Sequence, residues 1–384
     1  MTFDWLIVGA GFSGCTLAER IASQLRQTVL LIDRRPYIGG NAADALDSHG
    51  ILVHVHGPHI FHTRSREVWD YLSAFTSWRP YQHRVRALVD GLAVPVPFNL
   101  DSLKALSPPS AFPSMHQRLI DAFGEDAEIP ILRLRQHDDP VIRDVATLAY
   151  EKVFYNYTLK QWGLTPEQLD PAVTARVPVR LSRDDRYFSD PYQAMPAGSY
   201  TSLFQRMVES PLITLSLNTQ FLDVPQSGYR RLVYTGSLDE LFGYRRGALP
   251  YRSLRFDVEH LPVQRFQHAA TVNYPNTELF TRITEMKYLT GQTAPGTTIV
   301  REYPQPHQPG VNEPYYPIPL AAHRNLHEAY LADLPSLGRP VLALGRLADY
   351  RYYNMDQAVA RALTLFNSLP GLLSNGTPPL QATT

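Results

Sequence analysis

Two short apolar runs with a helical pattern between them open the chain. The run "DWLIVGAG" predicts a buried strand, and "TVLLIDRR" predicts a second strand that ends in an acid. Between the two runs, Gly14, Ala18, Ile21 and Leu25 recur at helical spacing and give one packed face. The chain is therefore predicted to begin with a strand, a helix and a second strand, which is typical of an α/β fold.

The turn between the first strand and the helix carries a glycine pattern. Gly9, Gly11 and Gly14 form GxGxxG, and Asp33 follows about twenty residues later at the end of the second strand. Glycines let the backbone approach a pyrophosphate, which the free N–H groups and dipole of a helix N-terminus attract. The alternative, a tight turn that binds nothing, is disfavoured because the strand, the helix and the acid follow one another in the order and at the spacing of a dinucleotide-binding motif. The pattern predicts a dinucleotide site.

The segment that follows favours FAD over NAD. "RRPYIGGNAADAL" places a second glycine pair directly after the ribose strand, where flavoproteins continue along the cofactor. A nicotinamide-dependent flavin reductase would usually need a second GxGxxG domain and often a pair of redox cysteines, and the chain has one cysteine, Cys15.

The middle of the chain, from about Arg64 to Met207, has helical patterns. "SREVWDYLSAF" has apolar residues at helical spacing, and "DDPVIRDVATLAYEKVF" opens with Asp139 as the expected N-cap and Pro140 at the first helical position. Between them "RVRALVDGLAVPVPF" predicts a hairpin around Asp90-Gly91, whose prolines would confine the second strand to a sheet edge.

The later segments return to the nucleotide fold. "RRLVYTG" and "PVLALG" each predict a strand leading into a glycine turn, and Asn354 is expected to cap a C-terminal helix with Gln357 three residues on. The proline-rich "REYPQPHQPGVNEPYYPIPL" is interpreted as an extended, ordered connection.

The predicted fold is α/β: a Rossmann-like FAD-binding domain built from discontinuous segments, with a helical insert and an antiparallel β-sheet substrate domain. The expected division is FAD-binding segment 1–64, mainly helical insert 65–180 with a mobile loop near 163–176, sheet and second FAD-binding segment 181–240, substrate domain 241–335 and C-terminal FAD-binding strand and helix 336–384.

Composition narrows the range of partners. Lys+Arg and Asp+Glu both number 36, so the chain has no net positive charge whose electrostatic field would attract nucleic acid. No apolar run approaches the length of a membrane span, and a single cysteine fits a reducing compartment, so a cytoplasmic protein is expected. "HVHGPHIFHT" holds four histidines, but without a cysteine partner or a helix to present two of them together no metal site is predicted.

Eight segments together resemble the signature blocks of bacterial UDP-galactopyranose mutases, in that family's order and over nearly the whole chain. The segments are "HGPHIFHT", "YNYTLKQWG", "ARVPVR", "RYFSDPYQAMPAGSY", "YTGSLDELFGYRRGALPYRSL", "FTRITEMKYLTG", "EPYYPIP" and "GRLADYRYYNMDQA". Blocks such as "KQWG" and "GALPYRSL" have no general structural reason to occur together.

The resemblance implies a flavoenzyme that interconverts UDP-galactopyranose and UDP-galactofuranose without net redox change. In this family the reduced flavin is thought to attack the anomeric carbon through N5, expelling UDP and forming a flavin–sugar adduct. It further implies an external reductant such as NAD(P)H, a homo-oligomer, and a product that supplies cell-surface polysaccharide.

The resemblance also implies a set of site residues. Catalytic roles are implied for Arg176, Arg282 and His59, the last as an acid-base candidate; substrate contacts for His83, Tyr157, Thr158, Trp162, Tyr187, Asn273, Tyr316, Tyr352 and Asn354; and cofactor contacts for Gly9, Gly11, Ser13, Gly14, Asp33, Gly40, Asn41, His59, Ile60, Arg346, Met355, Asp356 and Gln357.

Two of these positions depart from the family pattern. His83 stands where other members often carry asparagine, and Asn354 stands where many have aspartate. The two arginines suit the reaction, since a guanidinium makes paired, charge-assisted hydrogen bonds to phosphate oxygens. Two alternatives stay open at this point: an FAD-dependent oxidoreductase of the same fold, and a flavin-binding protein without catalytic activity.

Overall fold

The computed structural model describes residues 2–175, 177–318 and 320–374. Its strands, numbered along the chain, are β1 Phe3–Val8, β2 Val29–Ile32, β3 Asp44–Leu46, β4 Leu52–His54, β5 Phe61–Thr63, β6 Trp78–Pro80, β7 Val85–Val89, β8 Leu92–Val96, β9 Glu128–Ile129, β10 Val179–Arg180, β11 Tyr192–Pro196, β12 Ile213–Ser216, β13 Tyr229–Tyr234, β14 Tyr251–Leu261, β15 Thr271–Asn273, β16 Arg282–Glu285, β17 Thr297–Pro306, β18 Tyr316–Pro317 and β19 Val341–Ala343.

The helices are numbered in the same way. They are α1 Phe12–Arg20, α2 Arg66–Ser73, α3 Leu100–Leu106, α4 Phe112–Phe123, α5 Ile131–Arg135, α6 Pro140–Ala149, α7 Tyr155–Trp162, α8 Pro171–Thr174, α9 Tyr200–Met207, α10 Leu238–Leu241, α11 Met286–Thr290, α12 Ala321–Asp333 and α13 Met355–Ser374. In the part of the chain that the structure describes, no helix is long and apolar enough to cross a membrane.

A parallel five-stranded sheet forms the nucleotide-binding half, in the order β12-β2-β1-β13-β19. The opening strand–helix–strand unit and the two later strands β13 and β19 are confirmed, so distant segments do rejoin one fold. Strand β12 was not predicted, because its short run "ITLS" has only two apolar residues. It completes the sheet by pairing with β2.

Helices α1 and α13 pack against each other beside the parallel sheet. The inner faces of α1 and the C-terminal helix α13 share one apolar core, to which Leu17 and Ala18 contribute from α1 and Val359 and Ala362 from α13, all fully buried. The last helix is therefore held against the glycine-motif helix, and its N-terminus lies at the same side of the sheet as the nucleotide loop.

A second, seven-stranded sheet has the order β18-β14-β17-β16-β15-β7-β8. It is antiparallel except that β15 runs parallel to β7. The predicted hairpin is confirmed: Asp90 and Gly91 have positive φ of 49° and 80°, as a two-residue turn with matching twist needs, and β8 is an edge strand. This hairpin belongs to the large sheet although it lies within the segment predicted to be mainly helical.

The proline-rich segment corrects one interpretation. Its first part is not a connection but the end of β17, which pairs with β14 as far as Pro306. Neighbouring β16 pairs only with residues 299–302 of β17. Pro304 and Pro306 therefore have no paired strand on that side, and their lack of an N–H group breaks no hydrogen bond to β16. The later residues do connect β17 to β18 and α12.

The helices of the middle segment pack around a core of their own. Asp139 accepts a hydrogen bond at 2.8 Å from the Val141 N–H group, which confirms the predicted cap of α6. The chain continues from α6 through one wide turn, Tyr150–Phe154, into α7, and so carries the "YNYTLKQW" block along the large sheet. The division into domains with the boundaries given above stays a prediction.

Candidate active site

A cavity of about 1170 Å³ lies between the glycine loop of the parallel sheet and the aromatic residues of α7 and the large sheet. The predicted site residues that line it are Gly9, Gly11, Ser13, Gly14, Asp33, Gly40, Asn41, His59, Ile60, His83, Tyr157, Trp162, Tyr187, Asn273, Arg282, Tyr316, Arg346, Tyr352, Asn354, Met355 and Gln357. Thr158 and Asp356 are next in sequence to lining residues but do not line the cavity themselves. Arg176 lies outside the described residues.

The glycine loop has no room for side chains. A Cβ atom at Gly14 would overlap the carbonyl oxygen of Gly9. A Cβ atom at Gly9 would overlap the Thr235 hydroxyl, and the φ of Gly9, +103°, also disfavours any side chain there. Gly11 precedes the first turn of α1 in an extended conformation and leaves the N-terminal amide groups of that helix without a side-chain cap. These amides face the cavity and make it suitable for an anionic group such as a pyrophosphate.

Asp33 holds the glycine loop in place. Its Oδ2 accepts a hydrogen bond at 2.9 Å from the Ala10 N–H group, and its Oδ1 accepts one at 2.9 Å from Arg35 N–H. Each carboxylate oxygen can accept a further bond, so the acid can also meet a ribose hydroxyl. The arrangement fits the dinucleotide predicted from the motif.

Arg282, at the start of β16, forms an ion pair that the sequence did not reveal. Its Nε and Nη2 donate to Oε2 of Glu302 at 2.9 and 2.7 Å. Glu302 is buried on β17, and its Oε1 has no partner among the described residues. Burial acts to lower the pKa of Arg282, but Glu302, Tyr157 and Tyr316 together outweigh burial, so the pKa lies well above its usual value. The arginine is held charged at the cavity wall, about a quarter exposed.

Aromatic rings surround Arg282. Tyr316 and Tyr352 stack with ring centroids 5.3 Å apart and an interplanar angle of 15°, and Trp162 lies 6.0 Å from Tyr316. The Arg346 guanidinium lies over the Tyr316 ring at 5.7 Å. Burial raises the pKa of Tyr157 and of Tyr316, so both phenols stay neutral and can donate hydrogen bonds.

Three histidines of the "HVHGPHIFHT" block are linked to one another or to tyrosines. The His59 N–H group donates to Nδ1 of His54 at 2.9 Å, and the His59 ring bonds the Gly57 carbonyl oxygen at 2.8 Å. His56 lies between the hydroxyl groups of Tyr37 and Tyr315. Within the described residues no group of three histidine, cysteine or acidic side chains could hold a metal ion.

Burial keeps these imidazoles neutral. It lowers the pKa of His54 to about 4 and that of His59 to about 3, and it lowers the pKa of His56 and of His83 to about 3 as well. A group with so low a pKa is a poor carrier of a proton near neutral pH. The acid-base role implied for His59 therefore lacks support from its surroundings, although it does line the cavity.

We expect these buried histidines to make stability depend on pH. The unfolded chain binds a proton on each near pH 6.5, whereas the folded chain resists protonation down to about pH 4, so stability is fully present above pH 6.5 and is lost as the pH falls towards 4. The midpoint of thermal unfolding should fall steeply between pH 6.5 and 4.5. In His54→Asn, which keeps an acceptor for the His59 N–H group, the fall should be shallower; in the control His268→Asn, at an exposed position, it should match the unaltered protein. Equal pH dependence of all three proteins would contradict this account.

The loop predicted to be mobile is organised by several contacts in its described part. The Thr165 N–H group bonds Oε1 of Gln168 at 2.9 Å in a short helical turn, and the Tyr150 hydroxyl donates to Glu167 at 2.6 Å. Arg324 forms an ion pair with Asp170 at 3.1 Å. Mobility of this loop stays a prediction.

The C-terminal strand and helix bring their predicted residues to the cavity. Arg346 follows β19, and Gln357 Oε1 accepts a hydrogen bond at 2.9 Å from the Asn354 N–H group at the start of α13. The first turn of this long helix thus faces the cavity, as the sequence predicted.

The chain is similar to known proteins along most of its length. A family model described as UDP-galactopyranose mutase matches residues 152–352, more than half of the chain, and one described as an NAD(P)-binding Rossmann-like domain matches residues 7–75. A UDP-galactopyranose mutase from Mycoplasma pneumoniae is 35% identical over 379 residues, with 94% of each chain covered.

The chain belongs to the UDP-galactopyranose mutase family. The resemblance of the signature blocks is thereby confirmed, and the family is one of isomerases. The crystal structure of a reduced UDP-galactopyranose mutase matches with a TM-score of 0.75 and 18% identity over 99% of both chains, which confirms the fold.

The chain is also similar to proteins named for other substrates. A dTDP-fucopyranose mutase from Escherichia coli is 31% identical over 367 residues, covering 93% of this chain and 96% of the relative. A putrescine oxidase bound to putrescine shares the fold with a TM-score of 0.54 and 12% identity over 97% of this chain and 99% of the oxidase. Membership of the family therefore does not by itself identify the nucleotide sugar on which this protein acts.

Proposed function

We propose that this protein interconverts UDP-galactopyranose and UDP-galactofuranose with FAD as a cofactor that is active when reduced. The observation that carries the proposal is the single cavity that joins the glycine loop at α1 to the Arg282 and tyrosine cluster of the large sheet. Such a cavity can hold a dinucleotide and a nucleotide sugar end to end. Its volume of about 1170 Å³ exceeds that of an ordinary small-molecule pocket.

The residues on the cofactor side fit a flavin dinucleotide. Gly9 and Gly14 tolerate no Cβ, the N-terminus of α1 offers free amides to the pyrophosphate, and Asp33 can reach the ribose. The positive end of α13 and Arg346 face the other end of the cavity, where they would favour negative charge. A reduced flavin bound here supplies the nucleophile that displaces UDP from the anomeric carbon.

The residues on the substrate side suit a nucleoside diphosphate sugar. Arg282 is a fixed positive charge for a phosphate oxygen, and the stacked rings of Tyr316 and Tyr352 carry hydroxyl groups on the same cavity wall. We include Arg176 as the second phosphate-binding arginine, on the resemblance alone. Trp162 and Tyr157 provide faces and a hydroxyl for the base, with Thr158 beside them in sequence.

The sugar would lie between these groups and the flavin side of the cavity. His83, Tyr187 and Asn273 line the wall there and carry hydrogen-bonding groups for sugar hydroxyls. His83 is buried and its Nδ1 is 3.0 Å from the Tyr81 hydroxyl, so its orientation is fixed. The remaining residues of this wall exclude water, which protects an activated anomeric carbon from hydrolysis.

We further propose the cellular setting that the resemblance implies. An external reductant such as NAD(P)H would reduce the flavin, the protein would act in the cytoplasm as a homo-oligomer, and the galactofuranose product would supply cell-surface polysaccharide. Neither nucleic acid nor a metal ion is part of the proposal. These points rest on the resemblance to the family and not on the site.

The decisive experiment is an anaerobic conversion assay. We expect UDP-galactofuranose to be converted to the pyranose by flavin-replete protein only after reduction with dithionite, with the nucleotide sugars separated by chromatography. A parallel reaction with dTDP-fucofuranose tests the substrate for which the Escherichia coli relative is named. Conversion of the dTDP sugar alone would reassign the substrate. Conversion of neither, by a flavin-replete sample, would overturn the mutase proposal and leave an FAD-dependent oxidoreductase as the working alternative.

A further inference from the structure

His62 differs from the other histidines of the cavity in its partner. It lies on β5, lines the cavity, and its Nδ1 is 2.9 Å from Oδ2 of Asp190. Among the described residues, the other cavity-lining histidines, His56, His59 and His83, make their hydrogen bonds to hydroxyl or backbone groups and not to a carboxylate. The pair went unnoticed in the sequence because its members lie 128 positions apart.

The geometry of the pair fixes both the ring and its tautomer. The His62 ring stacks on Phe188 with centroids 3.6 Å apart and an interplanar angle of 14°. His62 also pairs in the sheet with Gln193 of β11, three residues after Asp190. Because a carboxylate accepts from Nδ1–H, the Nε2 lone pair is left for another group. Nε2 has no hydrogen-bond partner among the described residues.

The charged groups that flank the His62 ring are Asp190 and Arg64. Burial alone would raise the pKa of Asp190, but the hydrogen bond from His62 and the charges of His62 and Arg64 outweigh it and lower that pKa. Arg64, on the solvent side, is 3.4 Å from the other carboxylate oxygen. His83, which burial keeps neutral, Tyr187 and Arg282 also line this wall. Asp190 is thus an ionised counter-charge that can stabilise a proton on His62.

The chemistry of ring contraction requires one proton to move within the sugar. In the pyranose the ring oxygen is O5 and the C4 oxygen carries a hydrogen; in the furanose the ring oxygen is O4 and the C5 oxygen carries it. The sugar O5 gains a proton when the six-membered ring opens, and O4 loses one when the five-membered ring closes. A single group can lend the first proton and take back the second, with no net consumption.

We propose that His62, oriented by Asp190, lends the proton to the sugar O5 and recovers one from O4. This inference rests on the proposed function. His62 is the catalytic residue in it and Asp190 the positioning residue. Ser189 and Asp190 also line a second cavity of about 770 Å³, which gives the pair a route for proton exchange that does not pass through a closed substrate site.

The test uses the reduced holoenzyme and three variants. His62→Gln keeps a hydrogen-bonding group at the Nε2 position but cannot carry the proton, so we expect kcat to fall about 10²- to 10⁴-fold. Its KM and its UDP affinity, measured by tryptophan quenching, should stay within about twofold. His116→Asn, at a position on α4 that lines neither cavity, is the control and should keep full activity.

Asp190→Asn tests whether Asp190 acts on the protonation of His62. If Asp190 only supported the local structure, the pH profile of kcat would not shift. Losing the counter-charge should shift the limb of the pH profile of kcat that reports His62 to lower pH by about one unit or more. The midpoint of the His62 imidazole signal in an NMR titration, assigned by its absence from His62→Gln, should shift in the same direction. This measurement does not depend on catalysis.

The outcomes separate the inference from the proposed function. Wild-type protein that does not interconvert the sugars overturns both. Active wild type with a His62→Gln variant within threefold of its kcat overturns only the proton-transfer role. If His62→Gln does not fold, an Asp190→Asn pH profile of kcat that superimposes on that of the wild type also overturns it.

Discussion

Arg282→Ala is expected to lower kcat/KM for the UDP-sugar by on the order of 10²- to 10³-fold, because the change removes the preorganised charge that we propose for the leaving diphosphate. The same change leaves the buried Glu302 carboxylate without its cation. Breaking a buried ion pair costs about 3 to 5 kcal/mol, and the low end or somewhat less applies here because the guanidinium is about a quarter exposed. Turnover assays and chemical denaturation measure the two effects.

The double variant Arg282→Ala, Glu302→Gln separates catalysis from stability. It removes the unpaired charge, so the free energy of unfolding should recover towards that of the wild type while kcat/KM stays low. Arg255→Ala is the matched control, since Arg255 pairs with Asp257 on the exposed part of β14 and does not line the cavity. Recovery of activity in the double variant, or unaltered activity in Arg282→Ala, would remove Arg282 from the proposed phosphate site.

Gly14→Ala is expected to abolish cofactor binding and to destabilise the nucleotide-binding half. Within a helix, alanine normally stabilises relative to glycine by about 1 kcal/mol. Here the added methyl group would overlap the backbone oxygen of Gly9, so α1 must move away from β1 and the loop, at a cost of about 3 kcal/mol or more. Bound flavin, measured from its visible absorbance in purified protein, should fall at least about tenfold.

Gly228→Ala is the control for this prediction. A Cβ at Gly228 would meet only the Val224 side chain, at an ordinary distance of 3.8 Å, and the residue is remote from the cavity lining. Flavin content and thermal midpoint should be unchanged. A Gly14→Ala protein that retains full flavin content would show that the glycine loop does not need its close contact with α1 to hold the cofactor.

The sequence predicted best those features that nearby residues determine. The Gly9–Gly14 turn, the Asp139 cap of α6 and the Asp90-Gly91 hairpin each depend on contacts within a few positions, and all three are present. Backbone conformations of this kind are fixed by local sterics and local hydrogen bonds, which short motifs record directly. The signature blocks added the family, because the comparisons confirm what their order along the chain implied.

The tertiary structure decided which distant segments share a sheet. Strand β12 has too few apolar residues to stand out, yet it completes the parallel sheet beside β2. Residues 85–96 join the large sheet from within a segment of mostly helical pattern, and the prolines after Glu302 lie in a strand because the shorter β16 leaves that side of β17 unpaired. Strand pairing depends on which distant segment lies beside each strand in the folded chain, and a local sequence pattern does not contain that information.

By itself the sequence determined an α/β nucleotide-binding fold, its glycine loop and a set of site residues, most of which line one cavity. Only the folded chain decided how the charges at that cavity are paired. Glu302 binds Arg282 across two neighbouring strands, and Asp190 binds His62 from 128 positions away. Such pairs decide which side chains stay charged, because a buried ionisable group takes its protonation state from the charges packed against it and from its loss of contact with water.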